Sequence, residues 1–183
     1  SRSEEIIKAV SNALKKISED NNFSSVHILL AEKKEIDLYS NEDFSLRTSY
    51  SFHWFNKEYK NFDNFLEDMT SRQRKNIKKE RTKISQQGIK MKKISGHEIT
   101  EDMLEIFYKF YQVTYLKRGM RGYLNLEFFK KIVNKMPESI LMVLAQNSLG
   151  EYVAGALNFY DEEKLYGRYW GCLEEYDSLH FET

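Results

Sequence analysis

Apolar residues recur at helical spacing from the start of the chain. Ile6, Ile7, Val10, Leu14 and Ile17 fall on one face and predict a helix over residues 3–19. The β-rich run SSVHILLA, residues 24–31, reads as a buried strand. Residues 31–40 return to a helical pattern. Residues 44–56 combine aromatic and β-branched side chains and predict one or two strands, with Tyr50, Phe52 and Trp54 alternating onto one face. His53 then points to the other face, where a structural imidazole is the plainer reading than a base.

Residues 63–87 predict one long helix, with Asp63 capping its start and Gly88 ending it. Phe62, Leu66, Met69, Ile77 and Ile84 share one side of its wheel. Two basic flanks border that side: Arg72, Lys75, Lys79 and Lys83 on one, Arg74, Lys78 and Arg81 on the other. Glu80 falls within the apolar side, so it is expected to be buried and to need a cationic partner, with Arg121 and Arg168 as candidates. Beyond Gly88, IKMKKI (89–94) alternates as a strand. Met103, Ile106, Phe107, Phe110, Tyr111 and Thr114 mark an amphipathic helix, GMRGY (119–123) a turn, and NLEFFKKIVNKM (125–136) a second helix halted by Pro137. SILMVLA, YVAGALNFY and LYGRYWG read as three strands separated by the turns NSLGE and DEEK. A helix start is expected at His180.

From residue 89 the order is β-α-α-β-β-β-α, which resembles the front half of a GNAT-type acyltransferase domain. Residues 1–56 give α-β-α-β-β, which resembles the back half. The expected fold is therefore α/β (α+β), a GNAT-like mixed sheet with flanking helices built from parts of two tandem units. Residues 1–60 would form the carboxy-terminal part of a first unit and 61–88 a basic linking helix. Residues 89–183 would form the amino-terminal part of a second unit.

Charge changes the picture more than composition does. The chain is neutral overall, yet Ser71 to Lys93 holds ten basic residues and one acidic, so the remainder is acidic by nine. This asymmetry points to an anionic ligand, or to an internal acidic partner for the basic segment. Overall neutrality argues against a protein that coats nucleic acid. The single cysteine, Cys172, excludes an internal disulfide and fits a reducing compartment. With no long apolar stretch and no visible signal peptide, a cytoplasmic location is expected.

The basic helix offers Arg72, Arg74, Lys75, Lys78 and Lys79 as anion-binding residues for a CoA pyrophosphate, a tRNA backbone or a lipid headgroup. A solvated basic face is the alternative. No aromatic residue interrupts the run, so base stacking is not indicated. On the last strand, Arg168 and Trp170 share one face in strict alternation, and Tyr169 takes the other with Gly167 and Gly171. An arginine beside aromatic rings can clamp a carboxylate or phosphate and stack at once. Glu174, Glu175, His180 and Glu182 follow at a strand-to-helix junction, where α/β proteins commonly hold ligands. Acyl transfer to an amine needs a proton acceptor, and Glu174, Glu175 or His180 could serve. His180 and Glu182 do not share a helical face, so they do not form a metal pair.

Three motifs carry a more specific resemblance: FHWFN at 52–56, SRQRKNIKKER at 71–81, and GALNFY with LYGRYWGCLEEYDSLHFE between 155 and 182. Together they resemble the FemAB-like family of peptidoglycan biosynthesis/recognition proteins, GNAT-like and usually predicted to be N-acyltransferases. The resemblance implies a transferase acting on a small-molecule or peptide amine, with acyl-CoA or aminoacyl-tRNA as donor. A non-catalytic binding module and an RNA-binding protein are the rival classes. Typical members are longer at both ends, and the chain begins at Ser1, so a longer natural protein is expected. Acetyl-CoA enzymes of this fold place a glycine-rich turn after the fourth strand, where backbone N–H groups hold the pyrophosphate. EEYDSLHFE has no glycine and four acidic residues at that place. An aminoacyl donor is therefore expected over CoA.

Overall fold

The computed structural model describes residues 2–181. They divide into two compact units on either side of the junction between residues 57 and 58. No helix among the described residues is long and apolar enough to cross a membrane.

The first unit holds two helices, α1 (Arg2–Asp20) and α2 (Lys33–Ser40), which contact each other. Both were legible from the pattern. A capping box between Glu32 and Glu35 starts α2. The strands expected at 24–31 and 44–56 do not form. These segments are irregular, and Leu29, Leu30, Tyr50, Phe52, Trp54 and Phe55 are exposed. A strand exists only if a neighbour takes its N–H and C=O groups, and every observed ladder lies in the second unit. Leu30, with φ of 60°, also interrupts the first segment.

In the second unit the long basic helix is two helices, α3 (Phe62–Glu67) and α4 (Ser71–Gln86). Thr70 separates them. Its Oγ1 accepts from the Gln73 N–H at 3.3 Å, and the Gln73 side chain accepts from the Thr70 N–H at 3.1 Å. This reciprocal cap ends one helix and begins the next more cheaply than continuous helix would. Asn61, not Asp63, caps α3, accepting from the Asn64 N–H at 2.9 Å. Gly88 follows α4 at φ +73°, the left-handed conformation that helix ends favour in glycine.

Strands β1 (Lys90–Ser95), β2 (Ile140–Gln146), β3 (Tyr152–Tyr160) and β4 (Leu165–Cys172) form a four-stranded sheet in the order β1-β2-β3-β4. All three pairings are antiparallel. Between β1 and β2 the chain makes α5 (Glu101–Leu116) and α6 (Leu126–Lys135), capped by Thr100 and Asn125. Both helices cover one sheet face through Leu104, Phe107, Phe110, Tyr111, Phe129 and Val133, packed on Ile94, Met142, Leu144 and Leu157. On the other face Ile84 of α4 packs with Ile89, Ala145, Ala154, Cys172 and Leu179. The result is a mixed α+β domain whose sheet is covered on both sides.

Two close approaches fix α5 on the sheet. A Cβ on Gly171 would run into the Phe110 backbone carbonyl, and one on Gly155 would meet Leu144 at 2.8 Å and Phe110 at 3.3 Å. Gly171→Ala is therefore expected to destabilise the second unit by at least about 1–3 kcal/mol through overpacking, since backbone cannot yield as a side chain can. Urea denaturation of the variant checks this. An unchanged midpoint would mean that the approach is not close.

Candidate functional site

Strand β4 is an edge strand. The carbonyl of Trp170 is met by Thr114 of α5, whose Oγ1 lies 3.1 Å from that oxygen and 3.1 Å from the Phe110 carbonyl oxygen. One hydroxyl proton thus serves both backbones and ties the end of α5 to β4. Beyond this tie opens a cleft of about 880 Å³, lined by Thr114, Lys117 and Arg118 of α5, Trp170 and Cys172 of β4, and residues 175–180. A short 3-10 turn, Leu179–Phe181, closes the segment, and the buried Leu179 anchors it in the apolar cluster beneath the sheet.

Three of the residues singled out from sequence line this cleft: Trp170, Glu175 and His180. The His180 ring meets Trp170 edge-on at 6.0 Å between centroids. Glu175 accepts from Lys117 Nζ at 2.8 Å. That hydrogen bond and charge hold the Glu175 carboxyl below the ordinary carboxylate range and raise Lys117. A carboxylate so held is a weaker base. Glu174 is not among the cleft residues; it accepts from the Tyr176 hydroxyl at 3.0 Å. Glu182 lies outside the described residues. Burial pushes the Cys172 thiol up, so it remains a thiol.

The acidic segment is less anionic than its composition suggests. Glu175 is paired with Lys117, and Asp177 accepts a charged hydrogen bond from Lys83 of α4 at 2.5 Å. Gln87 adds two bonds to the Asp177 backbone, donating to its carbonyl at 3.0 Å and accepting from its N–H at 3.1 Å. The basic segment therefore does have an internal acidic partner. Lys78 likewise faces Asp63 at 3.5 Å, and Arg81 lies 4.1 Å from the Phe62 ring centroid. Arg74 turns back to donate to the Met69 carbonyl at 3.2 Å. Arg72, Lys75 and Lys79 remain on the exposed side of α4. Glu80 is half-buried rather than buried, and neither Arg121 nor Arg168 pairs with it. Only the last turns of α4 pack on the sheet, so a wheel drawn over the whole helix overstates burial at Glu80. Arg121 is exposed in the loop between α5 and α6.

Arg168 and Tyr169 lie elsewhere. The β3–β4 register shifts between Leu157 and Asn158: Leu157 pairs with Tyr169 and Asn158 with Gly167, so Arg168 is the extra residue of a β-bulge. Strict alternation fails there. Instead of joining Trp170, Arg168 lies beside Tyr169, its guanidinium 5.2 Å from the ring centroid, and donates to the Tyr123 hydroxyl at 3.3 Å. Tyr169 packs among Tyr111 and Phe129 on the α5–α6 face, whereas Trp170 packs with the opposite cluster. The strand thus presents two different environments on its two sides.

Lys117, Arg118, Tyr115 and Tyr123 are not singled out by the sequence, and Thr114 is read there only as part of the amphipathic face of α5. The i, i+3 spacing of Thr114 and Lys117 on one helix was available as a signal. Nothing local foretold Tyr123, which reaches Arg168 across 45 residues.

Burial, together with a hydrogen bond to Tyr123, raises the Tyr115 phenol from 10.0 to about 12 and moves Tyr169 in the same direction. A folded value above the unfolded one means that folding holds the proton more tightly. That stabilisation is complete below pH about 10 and is lost as pH rises through about 12. An alkaline absorbance titration should therefore show a late phenolate phase, and Tyr115→Phe should diminish it and flatten the accompanying fall in melting temperature. Ordinary phenolate titration of every tyrosine would contradict the packing described.

No curated protein gives a significant match to the chain. The profile of the FemAB-like family, described as peptidoglycan biosynthesis/recognition, matches residues 1–183. A match over that whole span, together with the motifs on α4 and β4, places the chain in the FemAB-like peptidoglycan biosynthesis/recognition family.

Proposed function

We propose that this chain is part of an acyl- or aminoacyl-transferase that modifies an amine of a peptidoglycan precursor, with its reaction centre in the cleft beside β4. The observation that carries the reading is the meeting of His180, Trp170 and the Lys117–Glu175 pair in one cleft of about 880 Å³, at the end of an edge strand. The element order of the second unit supports a GNAT-like interpretation.

In this reading the acceptor amine attacks the acyl carbon of the donor. A C–N bond forms and the donor's ester or thioester bond breaks. His180 takes the proton lost by the amine, directly or through water, and the departing oxygen or sulfur is protonated from solvent. Lys117 supplies positive charge near the developing oxyanion, while Glu175 holds Lys117 in place. Trp170 shapes the wall of the cleft. Exposed Arg72, Lys75 and Lys79 suit the phosphates of a donor. Aminoacyl-tRNA remains the favoured donor, because the segment after β4 has no glycine-rich turn to cradle a pyrophosphate.

The test is to incubate the full chain with a precursor peptide bearing a free amine, supplying acyl-CoA or charged tRNA, and to follow product by mass spectrometry. Transfer from charged tRNA is expected, and His180→Gln should slow it by about 100-fold or more. Binding of the precursor without transfer from either donor would instead identify a recognition module. Association with tRNA that is steep in salt and indifferent to charging would favour RNA binding.

A further inference from the structure

Further back along β4, at its bulge, the α5–α6 side carries a second constellation that the transfer reading does not use. The bulge at Arg168 directs an exposed guanidinium across Tyr169, with the partly exposed Tyr123 hydroxyl at 3.3 Å. A guanidinium has five N–H donors in a fixed plane. Here its partners are the neutral phenols of Tyr123 and Tyr169, and no carboxylate pairs with Arg168 among the described residues. With five donors and two phenol partners, N–H groups are left able to donate to a ligand.

The loop that brings Tyr123 here is held on both sides. Gln112 Oε1 accepts from the Gly122 N–H at 3.2 Å, and the buried Tyr111 hydroxyl accepts from the Leu124 N–H at 3.1 Å. A side chain at residue 122 would run into the Tyr111 ring, so glycine is required for the loop to lie this close. Tyr115 meets the Tyr123 ring at 5.7 Å and Tyr111 meets Tyr169 at 5.6 Å, which fixes both rings from behind. A tyrosine that is 63% exposed would need no such support if it served only as surface. The arrangement is pre-organised, which reduces the entropic cost of binding.

We propose that Arg168, Tyr123 and Tyr169 form a carboxylate-binding site, suited to the free carboxylate end of a peptide or amino acid. A single cation among neutral phenols matches a monoanion. A phosphate dianion would call for a second cation on the cluster. The planar edge of the guanidinium fits the two oxygens of a carboxylate, with the Tyr123 hydroxyl as an added donor. Tyr169 supplies an apolar ring against which the ligand's backbone can lie. The site goes beyond the transfer reading and does not depend on it: a failed transfer assay leaves it standing, and its own failure leaves the cleft untouched.

Calorimetry on the full chain tests it, using an N-acetylated dipeptide with a free carboxylate and the same dipeptide as its amide. The acid is expected to bind at least about 10-fold more tightly than the amide, because a charged hydrogen-bonded pair is lost in the amide. Arg168→Lys should remove most of that preference while keeping the charge. Tyr123→Phe, on an exposed ring that leaves the fold intact, should weaken the acid and spare the amide. Equal binding of acid and amide, no binding of the acid at millimolar concentration, or an unaltered preference in both variants would overturn the proposal. Displacement of the acid by inorganic phosphate at lower concentration than by acetate would overturn it in favour of a phosphate site.

Discussion

The direct seating of α5 on β4 is the constraint on which the rest of the second unit depends. At Gly171 nothing but backbone separates the helix from the strand, and Thr114 joins the two main chains through one hydroxyl. This contact sets the height of α5 above the sheet. It therefore decides where Tyr111 and Tyr115 stand relative to Tyr169, and where Lys117 stands relative to Glu175. Aromatic packing of Phe107, Phe110, Phe129 and Tyr111 supplies the larger burial, but that is non-directional and would tolerate a shifted helix. The glycine and the hydroxyl provide the register.

A second local event, the bulge at Arg168, distributes the chemistry. Had β4 alternated without interruption, Arg168 and Trp170 would have faced the same side and formed one site. The extra residue instead leaves Trp170 with Cys172 and His180, and sends Arg168 to the tyrosines. Bulges commonly re-aim side chains beside functional sites.

Much of this was legible in the sequence, and the parts that were not share a cause. The four strands and two helices after Gly88 could be read because their caps and periodicities are local: Thr100 and Asn125 start helices, and YVAGALNFY is β3 in full. The T-x-x-Q signature at Thr70 was also local and was passed over in favour of an apolar stripe running through it. The failures at 24–31 and 44–56 concern pairing, since β-rich composition names no partner strand. The bulge belongs to the same class, because it arises from the pairing of Asn158 with Gly167 and not from the pattern of β4 itself. Within the candidate site, residue types were readable at His180, Glu175 and Arg168. Their division between two sides was not, nor was the neutralisation of Asp177 and Glu175 by lysines distant in sequence.

The central claim is that β4 contributes to two independent sites. It is tested most directly by titrating the full chain with the carboxylate dipeptide while observing the Trp170 indole and selectively labelled tyrosine rings by NMR. The account predicts that Tyr123 and Tyr169 resonances shift with the ligand and that the Trp170 indole stays in place. A concerted shift of the Trp170 indole and the tyrosines, saturating together, would contradict it and would mean that Arg168 and Trp170 belong to one site after all.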